Sequence, residues 1–247
     1  GRRIDGVVLP DDKRRGDKKN NVDEGAQFGH QAVFLRRRFL KCTSSSETAD
    51  GVMPSSLDAW PSVTATTPGA RLVIQGFGAV GKHTARFLTA KGAVLVAVAD
   101  SRGAIYNPEG LELERLVALK DRGESVTACS GCRVLERDAV VGLPCDIWIP
   151  AARPDVVNEN NVHRLRTRLV VEGANIPFTL GAEEYLHERG VICIPDFIAN
   201  AGGVICAAME YHGATQAAAL QTIEEKLRRN TEQVMETAKS KLILPRQ

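Results

Sequence analysis

The residues best placed to do chemistry stand six in a row, Gly76-Phe77-Gly78-Ala79-Val80-Gly81. A G-x-G-x-x-G suits a pyrophosphate when it leaves a strand and opens a helix. Both conditions are met, because Leu72-Val73-Ile74 before it is a short apolar run, while Val80, Thr84, Phe87 and Leu88 recur at helical spacing. The first glycine permits the tight turn, the second lets the backbone approach the anion, and the third lets helix and strand pack closely. The helix N-terminus supplies N–H groups that have no partner within the helix. Asp100 extends the pattern, since it ends a second apolar run nineteen residues after Gly81. A carboxylate there accepts hydrogen bonds from the adenosine ribose and repels a 2'-phosphate. Ser101 and Arg102 follow at once, and a hydroxyl with a guanidinium can hold that phosphate. The balance favours NAD as cofactor, with NADP as the second choice.

Three later segments carry small residues and amides where strands end: Pro150-Ala151-Ala152, Glu172-Gly173-Ala174-Asn175 and Asn200-Ala201-Gly202-Gly203-Val204. Ligands of open parallel sheets sit outside the carboxyl ends of the strands. Small side chains there admit a flat ring, and Asn175 and Asn200 each offer a donor and an acceptor. Cys129 and Cys132 have the spacing of half a zinc site but lack a second pair, and the five histidines show no ligand spacing, so no metal is expected.

The elements that must position these residues follow from hydrophobic period. Ala93 to Ala99 reads as a central strand; further strands are expected near Ser125 to Ala128, Asp146 to Ile149, Leu169 to Val171 and Val191 to Ile194. Helices are expected around Leu111 to Lys120, Asn158 to Leu165 and Ala182 to Glu188. Such alternation predicts an α/β fold, a doubly wound, Rossmann-type, mostly parallel sheet covered on both faces. Beyond Gly213, Leu220, Ile223, Leu227, Val234 and Ala238 form one stripe of a long C-terminal helix, interrupted at Asn230 and Thr231 and packed on the sheet domain. Residues 1 to 69, with basic clusters and a Ser/Thr/Pro-rich run, read as an irregular N-terminal segment in which only Ala26 to Leu40 has helical character. The expected division is therefore 1–69, a dinucleotide-binding domain at 70–213, and the helix at 214–247.

Charge and composition narrow the partners. The chain of 247 residues has 32 Lys+Arg against 30 Asp+Glu, too balanced for a nucleic-acid coat. No apolar run approaches the length of a membrane span, and the first twenty residues hold no secretory apolar core. Six cysteines in a chain of this size give no dense disulfide scaffold, which points to reduced thiols and a cytoplasmic setting.

Five motifs in order, Gln75 to Gly81, Asp100-Ser101-Arg102-Gly103-Ala104-Ile105-Tyr106-Asn107-Pro108, Pro150-Ala151-Ala152, Glu172 to Asn175 and Asn200 to Val204, resemble the cofactor domain of the glutamate/leucine/phenylalanine/valine dehydrogenases, glutamate dehydrogenase above all. The resemblance covers about residues 70 to 240. It implies NAD(P)-dependent oxidative deamination of an L-amino acid, with glutamate foremost, to the 2-oxo acid and ammonia. It places Gly76, Phe77, Gly78, Ala79, Val80 and Gly81 on the pyrophosphate and Asp100 with Ser101 on the adenosine ribose. Ala151, Ala152 and Asn175 fall on the nicotinamide side, with Asn200 bordering the cleft where the amino-acid substrate meets the ring. A homo-oligomer is implied as well. The family's catalytic lysine and aspartate lie in glycine-rich N-terminal motifs that residues 1 to 69 do not match, so no catalytic residue is assigned. Ala207 replaces a serine that helps bind the substrate side chain, and Gly181 replaces an acid after the Asn175 loop. A second reading follows from the unmatched lysine motifs, a non-catalytic dinucleotide-binding or oligomerisation module.

Overall fold

The computed structural model describes residues 68–247, so the expected N-terminal segment, including the helix at Ala26 to Leu40, lies outside the described residues. Among these residues seven strands form one sheet: β1 (Arg71–Gln75), β2 (Val94–Asp100), β3 (Gly103–Tyr106), β4 (Arg133–Leu135), β5 (Ile147–Pro150), β6 (Leu169–Val171) and β7 (Ile192–Ile194). Their spatial order is β4-β3-β2-β1-β5-β6-β7. From β2 through β7 neighbouring strands run parallel, whereas β3 and β4 join the β2 edge antiparallel. The chain therefore builds outward from β1 in one direction and then returns to β1's other side with β5. That reversal leaves a crevice at the carboxyl ends of β1 and β5, the usual ligand position in such sheets.

Among the described residues six helices accompany the strands: α1 (Ala79–Ala90), α2 (Leu113–Asp121), α3 (Leu180–Glu188), α4 (Asp196–Ala199), α5 (Gly202–Tyr211) and α6 (Gln216–Lys241). Strand residues alternate between two cores, as the period of two requires. Leu72, Ile74, Leu95, Ile147 and Ile149 face Ala85 and Leu88 of α1. Val73, Val96, Trp148 and Val170 face Phe178 and the α3 residues Ala182 and Leu186. Trp148 and Phe178 meet edge to face at 6.0 Å, and the indole N–H donates to the Val140 carbonyl, so the largest buried side chain leaves no polar atom orphaned.

Three expectations need correction, and two strands were not foreseen. Ser125 to Ala128 is not a strand: the Ser125 hydroxyl accepts from the Thr127 N–H and winds Val126–Ala128 into a 3-10 turn. Asn158 to Leu165 is not a helix, because Asn158 and Asn161 side chains take up local backbone N–H groups, leaving one 3-10 turn at Val162–Arg164. The antiparallel strands β3 and β4 carry too few residues to show a period. The stripe of α6 runs on through Asn230 and Thr231, since Thr231 is 1% exposed and its hydroxyl donates to the Leu227 carbonyl at 2.7 Å. Ile223 and Leu227 of that helix pack on Ile198 of α4 and Cys206 of α5.

Candidate functional site

The turn after β1 meets its requirements one residue at a time. Gly76 stands at φ +105, and a Cβ there would lie 2.6 Å from the Ala152 Cβ. A Cβ on Gly81 would lie 2.0 Å from the Gly76 carbonyl oxygen, so the third glycine is fixed by helix-to-turn packing. A Cβ on Gly78 would meet nothing within 4 Å, and φ there is −89°. The space over Gly78 is thus open to something outside the chain. No side chain caps the N-terminus of α1, its first turn holds no acidic residue, and its first internal bond is Lys82 N–H to the Gly78 carbonyl. Uncapped N–H groups at a helix start, under an open glycine, fit an anion such as pyrophosphate. The Phe77 side chain is 1% exposed in the core and its N–H donates to the Ala99 carbonyl, so this residue shapes the turn from behind.

The other strand ends converge on the same crevice. The Ala151 N–H donates to the Gln75 carbonyl at 2.6 Å, and the Ala174 N–H to the Pro150 carbonyl at 2.8 Å. A Cβ on Gly173 would lie 3.2 Å from Val80 and 3.7 Å from the Ala151 Cβ, which shows how closely α1, β5 and β6 approach. Asn175 and Asn200 are joined, the Asn200 Nδ2 donating to the Asn175 Oδ1 at 2.7 Å. The structure therefore gathers Gly76, Gly78, Ala79, Val80, Ala151 and Ala152 about the turn and pairs Asn175 with Asn200 at the ends of β6 and α4.

Asp100 is held by groups of its own chain. Its side chain is 8% exposed. One oxygen accepts from Arg102 N–H (2.9 Å) and Ser125 hydroxyl (3.0 Å), the other from the Lys120 ammonium (2.9 Å) and Val126 N–H (3.0 Å). Burial pushes this carboxyl up, but the Lys120 ammonium and the donors around it outweigh burial and hold it below its ordinary value. Four donors satisfy its four acceptor positions. Ser101 and Arg102 in the β2–β3 turn are exposed. Elsewhere, the Cys129 and Cys132 thiols lie 2.8 Å apart, and no group of three or more metal-ligating side chains occurs among the described residues. Burial and the neighbouring Cys129 push the Cys132 thiol up to about 11, which keeps it protonated near neutrality.

Sequence reasoning missed a charged cluster behind the asparagines. Arg246 donates from Nε to both Glu183 oxygens (2.7 and 3.0 Å), from Nη1 to Asp196 (2.8 Å) and from Nη2 to Glu172 (2.7 Å). Glu172 is 0% exposed, and its other oxygen has no partner within the structure. Burial first, then the Glu183 charge, push the Glu172 carboxyl up to about 8 against the pull of Arg246. Asp196 is also raised by burial, yet the Ile176 N–H and Arg246 bring it below its ordinary value. One signal was available in the sequence: Glu172 directly follows the apolar run Leu169 to Val171 and Asp196 follows Ile192 to Ile194, and acids at such buried positions require a cation.

The model of the glutamate/leucine/phenylalanine/valine dehydrogenases matches residues 44–244, most of the chain. The chain belongs to this dehydrogenase family. A glutamate dehydrogenase of Aeropyrum pernix is 36% identical over 228 residues, 89% of this chain and 54% of the relative. A NAD-specific glutamate dehydrogenase of Bacillus subtilis is 35% identical, covering 74% of this chain and 43% of that one. An NADP-specific glutamate dehydrogenase of Saccharolobus shibatae is 39% identical over 58% of this chain and 34% of that one. Among solved structures, the hetero-hexameric glutamate dehydrogenase of Thermus thermophilus superposes with a TM-score of 0.65 at 27% identity, over 73% of this chain and 44% of that one. The chain thus spans about half the length of the relatives it matches. Family membership fits the crevice between β1 and β5, which is where the dehydrogenase fold receives its dinucleotide.

Proposed function

We propose that the chain holds a nicotinamide dinucleotide across the carboxyl ends of its sheet, as the cofactor half of an NAD(P)-dependent amino-acid dehydrogenase acting on L-glutamate. The observation that carries this reading is the open space over Gly78 beside an uncapped helix start, framed by two glycines that are packed shut. Residues 70–213 constitute the dinucleotide-binding domain, with 214–247 as the helical segment packed on it. The bound dinucleotide would accept the substrate's α-hydrogen as hydride, giving an imine that water converts to the 2-oxo acid and ammonia.

The chain's own residues bind and orient. The N–H groups of Gly78, Ala79 and Val80 receive the pyrophosphate, with Gly76, Phe77 and Gly81 holding the loop in the required shape. Ala151 and Ala152 keep the crevice wall low enough for a ring to lie against it. The bond from Asn200 to Asn175 leaves the Asn175 amide nitrogen and the Asn200 amide oxygen for a ligand. Asp100 fixes the β2–β3 turn from within, and Ser101 with Arg102 meets the adenosine ribose or its 2'-phosphate. The choice between NAD and NADP is made at those two exposed side chains. What supports an oligomer is the hetero-hexameric Thermus neighbour, and no helix among the described residues is long and apolar enough to cross a membrane.

Fluorescence titration with NADH and NADPH, followed by glutamate, leucine or valine with oxidised cofactor, tests the reading. Saturable binding of at least one dinucleotide is expected, and failure to bind either would overturn it. Binding without turnover would favour the non-catalytic module.

A further inference from the structure

We propose that Arg246 is the positioning residue for the nicotinamide side of the site, its guanidinium holding the two strand-end loops that present Asn175 and Asn200. This rests on the dinucleotide reading above. The residues Arg246 grips lie 74, 63 and 50 positions earlier in the chain, on the end of β6, on α3 and at the start of α4. A planar fork with donors on three sides can satisfy three carboxyl groups at once, which an ammonium cannot do with the same geometry.

From that grip a closed ring of bonds leads to the asparagines. Glu172, held by Arg246, accepts the Asp196 N–H at 3.2 Å. Asp196, also held by Arg246, accepts the Ile176 N–H at 2.7 Å and the Phe197 N–H at 2.9 Å. Ile176 is adjacent to Asn175, and Asn200 follows the helix that Asp196 opens; the bond between the two amides completes the circuit. Ile176 stands at φ +46, a left-handed conformation that a β-branched residue keeps only when its surroundings hold it. Its side chain is 57% exposed, so packing does not hold it, and the Asp196 bond does. Weakening the Arg246 grip frees Asp196, lets Ile176 relax, and moves Asn175 away from the ring position. Gly76 to Gly81 follow β1 and open α1, Ser101 follows β2, and their hydrogen bonds run to Ala99 and within the turn and not to this circuit, so the adenosine half of the ligand is untouched.

The test compares two probes on the full chain, NADH and ADP-ribose, which share every group except the nicotinamide end. In Arg246→Lys, with circular dichroism showing an intact fold, NADH affinity is expected to fall about tenfold while ADP-ribose affinity changes less than about twofold. Ile176→Pro leaves the side chains of the ion cluster in place but removes the N–H that Asp196 accepts and fixes φ near about −65°, so the same selective loss, about threefold or more, is expected there; this variant remains informative if Arg246→Lys does not fold. Equal weakening of both probes, or no change in NADH binding, would overturn the positioning role. A wild-type chain that binds neither probe would overturn the dinucleotide reading and this inference with it.

Discussion

The two halves of the site are built on different principles. The glycine turn is local, six consecutive residues that take their shape against the ends of β2 and β5. The asparagine side is assembled from the end of β6, the start of α4, α3 and a C-terminal arginine, tied by buried charge. A local turn tolerates change elsewhere in the chain and fails only when its own atoms are altered. An assembled side depends on every contributor, the most remote included, and on the protonation state of its acids.

The glycines give the largest contrast. Gly81→Val places carbon atoms against the Gly76 carbonyl, where a Cβ alone would lie 2.0 Å away. We expect a cost of about 3 kcal/mol or more and loss of a cooperative melt, measured by differential scanning calorimetry. Gly78→Val projects into open space from a φ of −89°. Its melting temperature should stay within about 2 °C of wild type, while affinity for NADH and NADPH drops by about tenfold or more. A Gly78→Val chain that binds normally would remove the pyrophosphate from this turn.

That contrast also explains what the sequence disclosed. The central parallel strands and the glycine turn were legible because each rests on near neighbours: Leu72 to Ile74 and Ala93 to Ala99 are apolar runs, and Gly76 to Gly81 is a spacing. The 3-10 turn at Val126–Ala128 was misread because Val126 and Thr127 carry strand propensity, while the deciding bond from Thr127 N–H to Ser125 is a local polar competitor. The saturation of Asp100 was invisible, since Lys120 and Ser125 lie 20 and 25 residues away and only the fold brings them to it. Arg246 was the hardest case. Nothing near it in sequence marks it, and its partners are legible only as acids in apolar surroundings that need a cation.

Protonation separates the halves by a smaller effect. Glu172 titrates at about 8 in the folded chain against an ordinary 4.5, so between those values the native state binds a proton that the unfolded chain has released. Stability therefore falls as pH rises through that window. Glu183 is raised as well and adds to the same slope, whereas Asp196 is lowered and acts only at more acid pH. Glu172→Gln should flatten, without abolishing, the decline in melting temperature between pH 5 and 8, a difference of about 3 °C or more. An unchanged slope would mean that Glu172 is ionised in the folded chain and that the cluster carries one more negative charge at neutrality.

The smallest expected effects lie at the β2–β3 turn, where the local half meets its own remote support. Were the Asp100 carboxylate facing the ribose, its loss would weaken NADH and spare NADPH. With its oxygens already accepting from Arg102, Ser125, Lys120 and Val126, Asp100→Ala instead loosens the turn for both cofactors alike. On the proposed reading, selectivity falls to Arg102, which is exposed and carries the positive charge suited to a 2'-phosphate. Solvent screening keeps such a contact modest, so Arg102→Ala should weaken NADPH by about threefold to fivefold and leave NADH within error. Parallel titrations of the two variants decide the matter: a cofactor-selective loss in Asp100→Ala would return the carboxylate to the ribose, and a non-selective loss in Arg102→Ala would take the guanidinium away from the phosphate.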